Sequence, residues 1–336
     1  MSREVRSERL RGLMERLRVG AVLLRRPANF AWYTNGADNR VDRSLPVGVA
    51  SLLVTGDAEY VVADNIEAAR MRDEETPGLE VAEHPWQEDP SGIVRELAGD
   101  VALGTDHPFG DARDVSGEVA PLRYALDADA IDLYRRAGAA TAAAMGEATG
   151  KVDSGMGEEE VAADLLFACR RRGLAADVIL VAADGRIPRY RHPIPKGNPI
   201  EHRAMLVVCA EMGGLYVSLT RFVEIEEPDG EIAQRQAACA EILGRMREEA
   251  TRPWRTLAEA FADCRRFYAE AGFPEEWRLH HQGGMAGYAT REVVATPETG
   301  HEIRPGMAFA WNPSITGAKA EETFVLTENG PEVICP

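Results

Sequence analysis

Hydrophobic positions in the first third of the chain alternate between helical and strand-like spacing. Leucines at helical spacing within Val5–Arg18 predict an amphipathic helix. The apolar runs Val47–Val54 and Tyr60–Ala63 flank Gly56–Asp57, and this pattern predicts a β-hairpin. Because short strands alternate with helices up to about residue 125, we expect a compact α/β lobe in this region.

From about residue 127 the order of the predicted elements changes to helices, strands, helices and strands. The apolar runs Ala204–Glu211 and Leu215–Ile225 flank Gly213–Gly214, which predicts a second hairpin. Helical periodicity extends over Glu231–Ala250 and over Thr256–Ala271. Since helices and strands are segregated along this region, the pattern favours an α+β fold over a doubly wound parallel sheet.

Composition and charge narrow the classes of partner. The chain has 336 residues, of which 45% are hydrophobic and 28% are charged, as in ordinary globular proteins. A net charge of −17 disfavours nucleic acid and anionic membrane surfaces, so we expect a small molecule or a short peptide as the partner. Acidic Glu4 and Glu8 and the lack of a long uncharged stretch predict a cytoplasmic protein without a membrane span. Five scattered cysteines argue against a disulfide framework and a structural zinc site.

Six short motifs occur in a consistent order along the chain. They are Pro27–Thr34, Asp129–Gly138, Ser218–Phe222, His281–Gly284, Arg304–Met307 and Lys319–Thr323. Together they resemble the creatinase/aminopeptidase P superfamily, the pita-bread fold of M24-type peptidases. The resemblance implies a creatinase-type α/β N-terminal domain over residues 1–126. It also implies an M24-like catalytic domain with a curved antiparallel sheet over residues 127–336.

The same resemblance locates a degenerate metal site. Peptidases of the superfamily hold two divalent metals with two Asp, one His and two Glu. The matching positions here are Cys209, Ser218, His281, Asn312 and Glu321. Three of the four carboxylates are absent, so the charge of two cations would be uncompensated. We therefore expect no metal and no other cofactor, although a single metal on Cys209, His281 and Glu321 is an alternative.

Three residues are candidates for catalysis. His281 matches the family motif, and His192 lies close to the position of a substrate-site histidine in the family. Both are candidate acid/base groups, with Glu321 as their partner. Without metals, a carboxylate among apolar strands would have a raised pKa, unless Glu321 forms an ion pair with Arg221 or Lys319.

Five further residues are candidates for substrate binding. Arg189, Tyr190 and Arg191 belong to a basic segment that would clamp a substrate carboxylate or else form surface ion pairs. Asn312 occupies a ligand position of the family. His280 precedes the catalytic candidate, but successive side chains of an extended segment point in opposite directions, which argues against one shared pocket.

The leading functional hypothesis is a metal-independent, creatinase-type hydrolase that acts on a C–N bond of a small carboxylate-bearing substrate. Lyase and cyclase reactions are further alternatives. Arg291–Glu292 falls where the family has His-Glu, so an oxyanion-stabilising donor is lost. The alternatives are an Xaa-Pro-type peptidase with one metal and a non-catalytic pseudo-peptidase that binds a peptide or partner. Family resemblance also implies a homodimer.

Overall fold

The computed structural model describes residues 2–336, which divide into two compact units, one ending at Arg123 and one running from Tyr124 to Pro336. The helices of the first unit are α1 (Ser2–Leu17), α2 (Pro27–Thr34), α3 (Ala68–Arg70), α4 (Ser91–Ala98) and α5 (Ser116–Val119). Its strands are β1 (Ala21–Leu24), β2 (Ala50–Thr55), β3 (Glu59–Asp64), β4 (Glu80–His84), β5 (Leu103–Thr105) and β6 (Arg113–Asp114).

The first unit is built on a mixed six-stranded sheet in the order β4-β3-β2-β1-β5-β6. Strands β1, β2 and β3 pair antiparallel, whereas β4, β5 and β6 join in parallel. The predicted helix is present as α1, and the predicted hairpin is present as β2 and β3. Every residue of central strand β1 is buried, as its uninterrupted apolar sequence requires. The α/β lobe predicted from the sequence is therefore confirmed.

The second unit contains four α-helices and ten strands among the described residues. The helices are α6 (Ala128–Thr149), α7 (Glu158–Arg170), α8 (Gly230–Arg245) and α9 (Leu257–Glu270). The strands are β7 (Ala175–Ala183), β8 (Arg203–Met212), β9 (Leu215–Glu224), β10 (Gly283–Ala286), β11 (Val293–Val294), β12 (Ala308–Trp311), β13 (Ser314–Ile315), β14 (Ala318–Lys319), β15 (Glu322–Thr327) and β16 (Gly330–Val333).

All the strand pairs of the second unit are antiparallel over the part of the chain that the structure describes. They form a β7-β8-β9 sheet, a β11-β10-β12-β15-β16 sheet and the small pair β13-β14. The hairpin between β8 and β9 turns at Gly213 and Gly214, both with positive φ. These features confirm the predicted α+β fold and its antiparallel second region.

The two larger sheets of the second unit meet where β9 lies beside β15. The backbone N–H of Ser218 donates to the Thr323 hydroxyl, and that hydroxyl donates to the Ser218 carbonyl. Both residues are buried. This link brings the start of β15, with Glu321 just before it, against the middle of β9.

Local capping sets where the long helices of the second unit begin. The Asp127 carboxylate accepts from the Ala130 N–H at the start of α6, and Asp229 accepts from the Ile232 N–H at the start of α8. Thr256 and Glu259 form a capping box at the start of α9. No helix within residues 2–336 is long and apolar enough to cross a membrane.

One helix differs from its predicted length. Helical periodicity predicts α8 through Ala250, but α8 ends at Arg245 and a π-helical turn covers Met246–Ala250. The Thr251 hydroxyl donates to the Met246 carbonyl and accepts from the indole N–H of Trp311. The contact between Thr251 and Trp311 of the buried sheet therefore accompanies the change to a π-helical turn. Hydrophobic periodicity alone does not predict this change.

Candidate functional site

A cavity of about 140 Å³ in the second unit is lined by all three predicted catalytic residues, His192, His281 and Glu321. It is lined by Val178, Leu180, His192, Val207, Cys209, His281, Thr290, Arg291, Asn312, Lys319 and Glu321. A larger cavity of about 560 Å³ in the first unit has none of the motif residues in its lining. We therefore place the candidate site in the smaller cavity.

Glu321 lies at the buried centre of this site. Its carboxylate accepts hydrogen bonds from the Thr220 hydroxyl at 2.7 Å, from Lys319 Nζ at 2.8 Å and from Arg291 Nη2 at 3.1 Å. The exposed fractions of the three charged side chains are 3% for Glu321, 6% for Lys319 and 10% for Arg291. One carboxylate is thus bound by two largely buried cations.

The charge balance around Glu321 reverses the expected direction of its pKa. Burial alone raises the pKa of Glu321, but the Lys319 and Arg291 charges and the hydrogen bonds from Lys319 and Thr220 hold it at about 2. The expectation of a raised pKa is therefore wrong. The alternative of an ion pair with Lys319 is correct, and Glu321 is ionised at neutral pH.

Arg291 links Glu321 by hydrogen bonds to other positions that hold metal ligands in the family that the sequence resembles. Its Nη1 donates to the Ser218 hydroxyl at 3.1 Å, and Cys209 Sγ lies 3.4 Å from the same hydroxyl. Burial raises the pKa of the Cys209 thiol, so the thiol stays protonated at neutral pH. The Nε of Arg291 is buried and has no hydrogen-bond partner among the described residues.

Three histidines gather at the exposed edge of the cavity. His280 Nε2 lies 3.0 Å from His192 Nε2, and the rings of His280 and His281 stack with centroids 4.4 Å apart. The expectation that His280 and His281 point apart is therefore wrong, because the segment before β10 is not a regular strand. Burial lowers the pKa of His192, and burial together with neighbouring positive charges lowers the pKa of His280 to about 3 and of His281 to about 4.

The basic segment predicted to clamp a carboxylate lies mostly outside the cavity. Arg189 and Tyr190 are exposed and do not line it. Arg191 donates to the Glu276 carboxylate and to the Thr316 hydroxyl, so it holds two loops together. Asn312 does line the cavity, and its buried Oδ1 has no hydrogen-bond partner within the described part of the chain.

The donor set does not fit a dinuclear, carboxylate-bridged metal centre. The Arg291 guanidinium bonds to both Ser218 and Glu321, two of the positions that would hold the metals. A thiol, a hydroxyl and an amide stand in place of three carboxylates. The proposed single-metal set of Cys209, His281 and Glu321 does not form a group of ligand atoms within 4.8 Å of one another among the described residues.

Comparison with known proteins assigns the family. Residues 132–328 match the model of metallopeptidase family M24, which is more than half of the chain. The chain therefore belongs to metallopeptidase family M24. This membership confirms the resemblance stated from the six sequence motifs.

Relatives and solved structures extend the likeness beyond the matched segment. The chain is 28% identical over 319 residues to the probable dipeptidase PepE of Mycobacterium tuberculosis, covering 85% of this chain and 84% of that protein. The prolidase structure from Pyrococcus horikoshii matches with a TM-score of 0.82 at 19% identity, covering 98% of both chains. The Xaa-Pro dipeptidase structure from Bacillus anthracis matches with a TM-score of 0.81 at 21% identity, covering 99% of this chain and 97% of that one. The structural matches establish the pita-bread fold.

Proposed function

We propose that this M24 chain is a metal-independent enzyme of the creatinase type that hydrolyses a C–N bond in a small, carboxylate-bearing molecule. The observation that supports this proposal is the binding of Glu321 by Lys319 and Arg291. Two side-chain cations supply positive charge at the place where the family uses metal ions. They are covalently part of the chain, so no metal is needed to balance the carboxylate.

The charges lining the cavity define the class of substrate. Lys319 and Arg291 carry two positive charges and Glu321 carries one negative charge, which leaves an excess of one positive charge. The free Nε–H of Arg291 can donate a hydrogen bond to a substrate carboxylate or to a developing oxyanion. Apolar Val178, Leu180 and Val207 line the same cavity. A small monoanion with an apolar portion is the substrate class that these walls favour.

His281 is the proposed base. Its imidazole is neutral at pH 7 because burial and the Arg291 charge lower its pKa, so its lone pair can accept a proton. In the proposed hydrolysis the water oxygen bonds to the carbon, and His281 accepts the water proton. The C–N bond then breaks, and that proton passes to the leaving nitrogen, directly or through His192. Arg291 and Lys319 stabilise the negative charge on the carbonyl oxygen.

The test combines chelation with substitution. A panel of small amides, amidines and dipeptides is assayed with and without EDTA. We expect the chelator to leave the rate on the best substrate unchanged. His281→Gln should lower kcat/KM by about 10²-fold or more, the usual contribution of a positioned acid/base group. The matched control His301→Gln changes an exposed histidine outside the cavity and should leave the rate unchanged.

Two results would contradict this proposal. Two equivalents of bound metal and loss of activity in EDTA would indicate a metallopeptidase. The similarity to the probable dipeptidase PepE supports that alternative hypothesis. Thermal stabilisation by a peptide without any turnover would instead favour the non-catalytic binding protein.

A further inference from the structure

We propose that His192, His280 and His281 together bind one divalent transition-metal ion at the edge of the cavity, and that this ion reversibly inhibits the enzyme. The binding site is argued from geometry alone. The inhibition rests on the proposed function, because it requires His281 to be the base.

The three imidazoles are already close enough to share one ion. One ring nitrogen from each residue lies within 4.8 Å of those of the other two. His192 Nε2 and His280 Nε2 are 3.0 Å apart. Two tetrahedral Zn–N bonds of the usual length place their nitrogens about 3.4 Å apart, so a shift of a few tenths of an ångström suffices.

The local hydrogen bonding leaves the cluster open to a ligand. His280 Nδ1 is buried and has no hydrogen-bond partner in the described part of the chain. The facing Nε2 atoms of His192 and His280 share a hydrogen bond at 3.0 Å, in which one ring donates and the other accepts. A divalent cation that takes the place of the shared proton is bound by both lone pairs.

The chemistry of the ligands selects the metal. Imidazole nitrogens favour zinc, copper and nickel over the oxygen-binding magnesium and calcium. Three histidine ligands leave a fourth position for water or an anion. His192 and His281 are exposed, so that position is accessible from solvent.

This site differs from the metal centre of the family in both ligands and position. Its ligands are three imidazoles and no carboxylate, while Glu321 stays bound to Lys319 and Arg291. Of the three histidines, only His281 matches a ligand position of the family. His280 immediately precedes the motif, and His192 comes from the loop after β7.

Inhibition follows from the use of the same lone pairs. An ion on His281 occupies the nitrogen that would accept the water proton. Because His192 and His281 also line the cavity, the ion would stand in the path of the substrate.

The binding experiment uses the full-length protein after removal of any affinity tag and treatment with EDTA. Cobalt(II) is titrated as a spectroscopic probe, and zinc is titrated by calorimetry. We expect one equivalent to bind with the visible absorption of tetrahedral cobalt. His280→Gln should weaken binding by more than about 10-fold, since loss of even an outer partner of a ligand weakens binding by that much. His301→Gln should bind as the parent protein does.

Failure to bind cobalt or zinc, or binding that survives both His280→Gln and His192→Gln, would overturn the metal site. Thermal melting checks that each variant is folded, and His192→Gln replaces His280→Gln if the latter does not fold.

The activity experiment compares each variant with its own rate in EDTA. Zinc should lower the rate of the parent protein and of His301→Gln, and EDTA should restore it, while His280→Gln should need more than about 10-fold more zinc for the same inhibition. Zinc that raises the rate would overturn the inhibition and the metal-independent mechanism, while the cobalt titration still decides the site. Activity that zinc leaves unchanged, with cobalt bound, would overturn the inhibition alone.

Discussion

The Glu321 carboxylate receives its three hydrogen bonds from three different segments of the second unit. Thr220 belongs to β9, Lys319 ends β14, and Arg291 lies in the loop before β11. A buried charge is destabilising unless it is paired and hydrogen-bonded. These contacts are therefore expected to stabilise the local arrangement of β9, β14 and the Arg291 loop as well as to set the charge of the cavity.

The first prediction concerns this buried network. Lys319→Met should lower the free energy of unfolding by about 3 kcal/mol, because it removes one partner of a buried ion pair. Combining Lys319→Met with Glu321→Gln should cost less than the sum of the two single losses, because both substitutions remove the same Lys319–Glu321 ion pair. Urea unfolding of both single variants and the double variant gives the coupling energy. Strictly additive effects would mean that the two charges do not interact.

The second prediction concerns the dependence of stability on pH in the metal-free protein. The pKa values of His192, His280 and His281 are lower in the folded chain than the ordinary value of 6.5. The unfolded chain therefore binds protons first, and stability falls as the pH drops from 6.5 towards about 4.

Urea unfolding in EDTA at pH 7 and about pH 5 measures this loss. His280→Gln should reduce the loss by about 1 kcal/mol, because glutamine takes up no proton in either state. His301→Gln is the comparison. An equal loss in the parent protein and in His280→Gln would show that the His280 pKa is not lowered by folding.

At the scale of elements, helix α6 packs closely against the end of the chain. A Cβ built on Gly138 would lie 2.0 Å from the carbonyl oxygen of Ile334, whereas a Cβ on Gly146 of the same helix meets nothing within 4 Å. Gly138 belongs to one of the six motifs, and close backbone approach is a physical reason for a glycine there.

The third prediction uses this matched pair of glycines. Gly138→Ala should destabilise the chain by about 2 kcal/mol, because the new methyl group must displace backbone atoms. Gly146→Ala should stabilise it by up to about 1 kcal/mol, since alanine is the better helix former. Thermal or urea unfolding of both variants distinguishes the two effects. Stabilisation by both substitutions would mean that α6 can move away from Ile334 without loss.

At the scale of the whole molecule, the chain carries exposed apolar side chains after α2. Val41, Leu45 and Val49 are 66%, 50% and 38% exposed. The residues that carry the proposed chemistry lie in the second unit alone.

The fourth prediction is the homodimer implied by the family resemblance. Light scattering at micromolar concentration should give twice the chain mass of 36.7 kDa. Leu45→Asp together with Val41→Asp should shift the equilibrium towards the monomer if these side chains are buried between two copies. The net charge of −17 should make the dimer tighter at higher salt. A monomer at all salt concentrations would contradict the prediction.

The sequence by itself determined the fold class and the order of its elements. Hydrophobic periodicity, helix caps such as Thr256 and turn glycines such as Gly213 act over a few neighbouring residues, so they can be identified along the chain. The ordered motifs identified the family, and the loss of three carboxylates was visible at Cys209, Ser218 and Asn312. The motifs predict His192, His281 and Glu321 as residues of one site, and the structure places all three in the lining of one cavity.

Only the tertiary structure decided the electrostatics of the site. Arg291 reaches Ser218 across 73 positions and Glu321 across 30 positions, and no local pattern encodes those contacts. The sequence signal for this role of Arg291 is a charged residue at the position where the family has histidine. Period-two alternation predicts His280 on the face opposite to His281. This prediction is wrong because the alternation holds only in regular strands, and the loop before β10 is irregular. Side-chain charge is a property of each residue, but the pKa values of Glu321 and the histidines depend on which distant segments pack together.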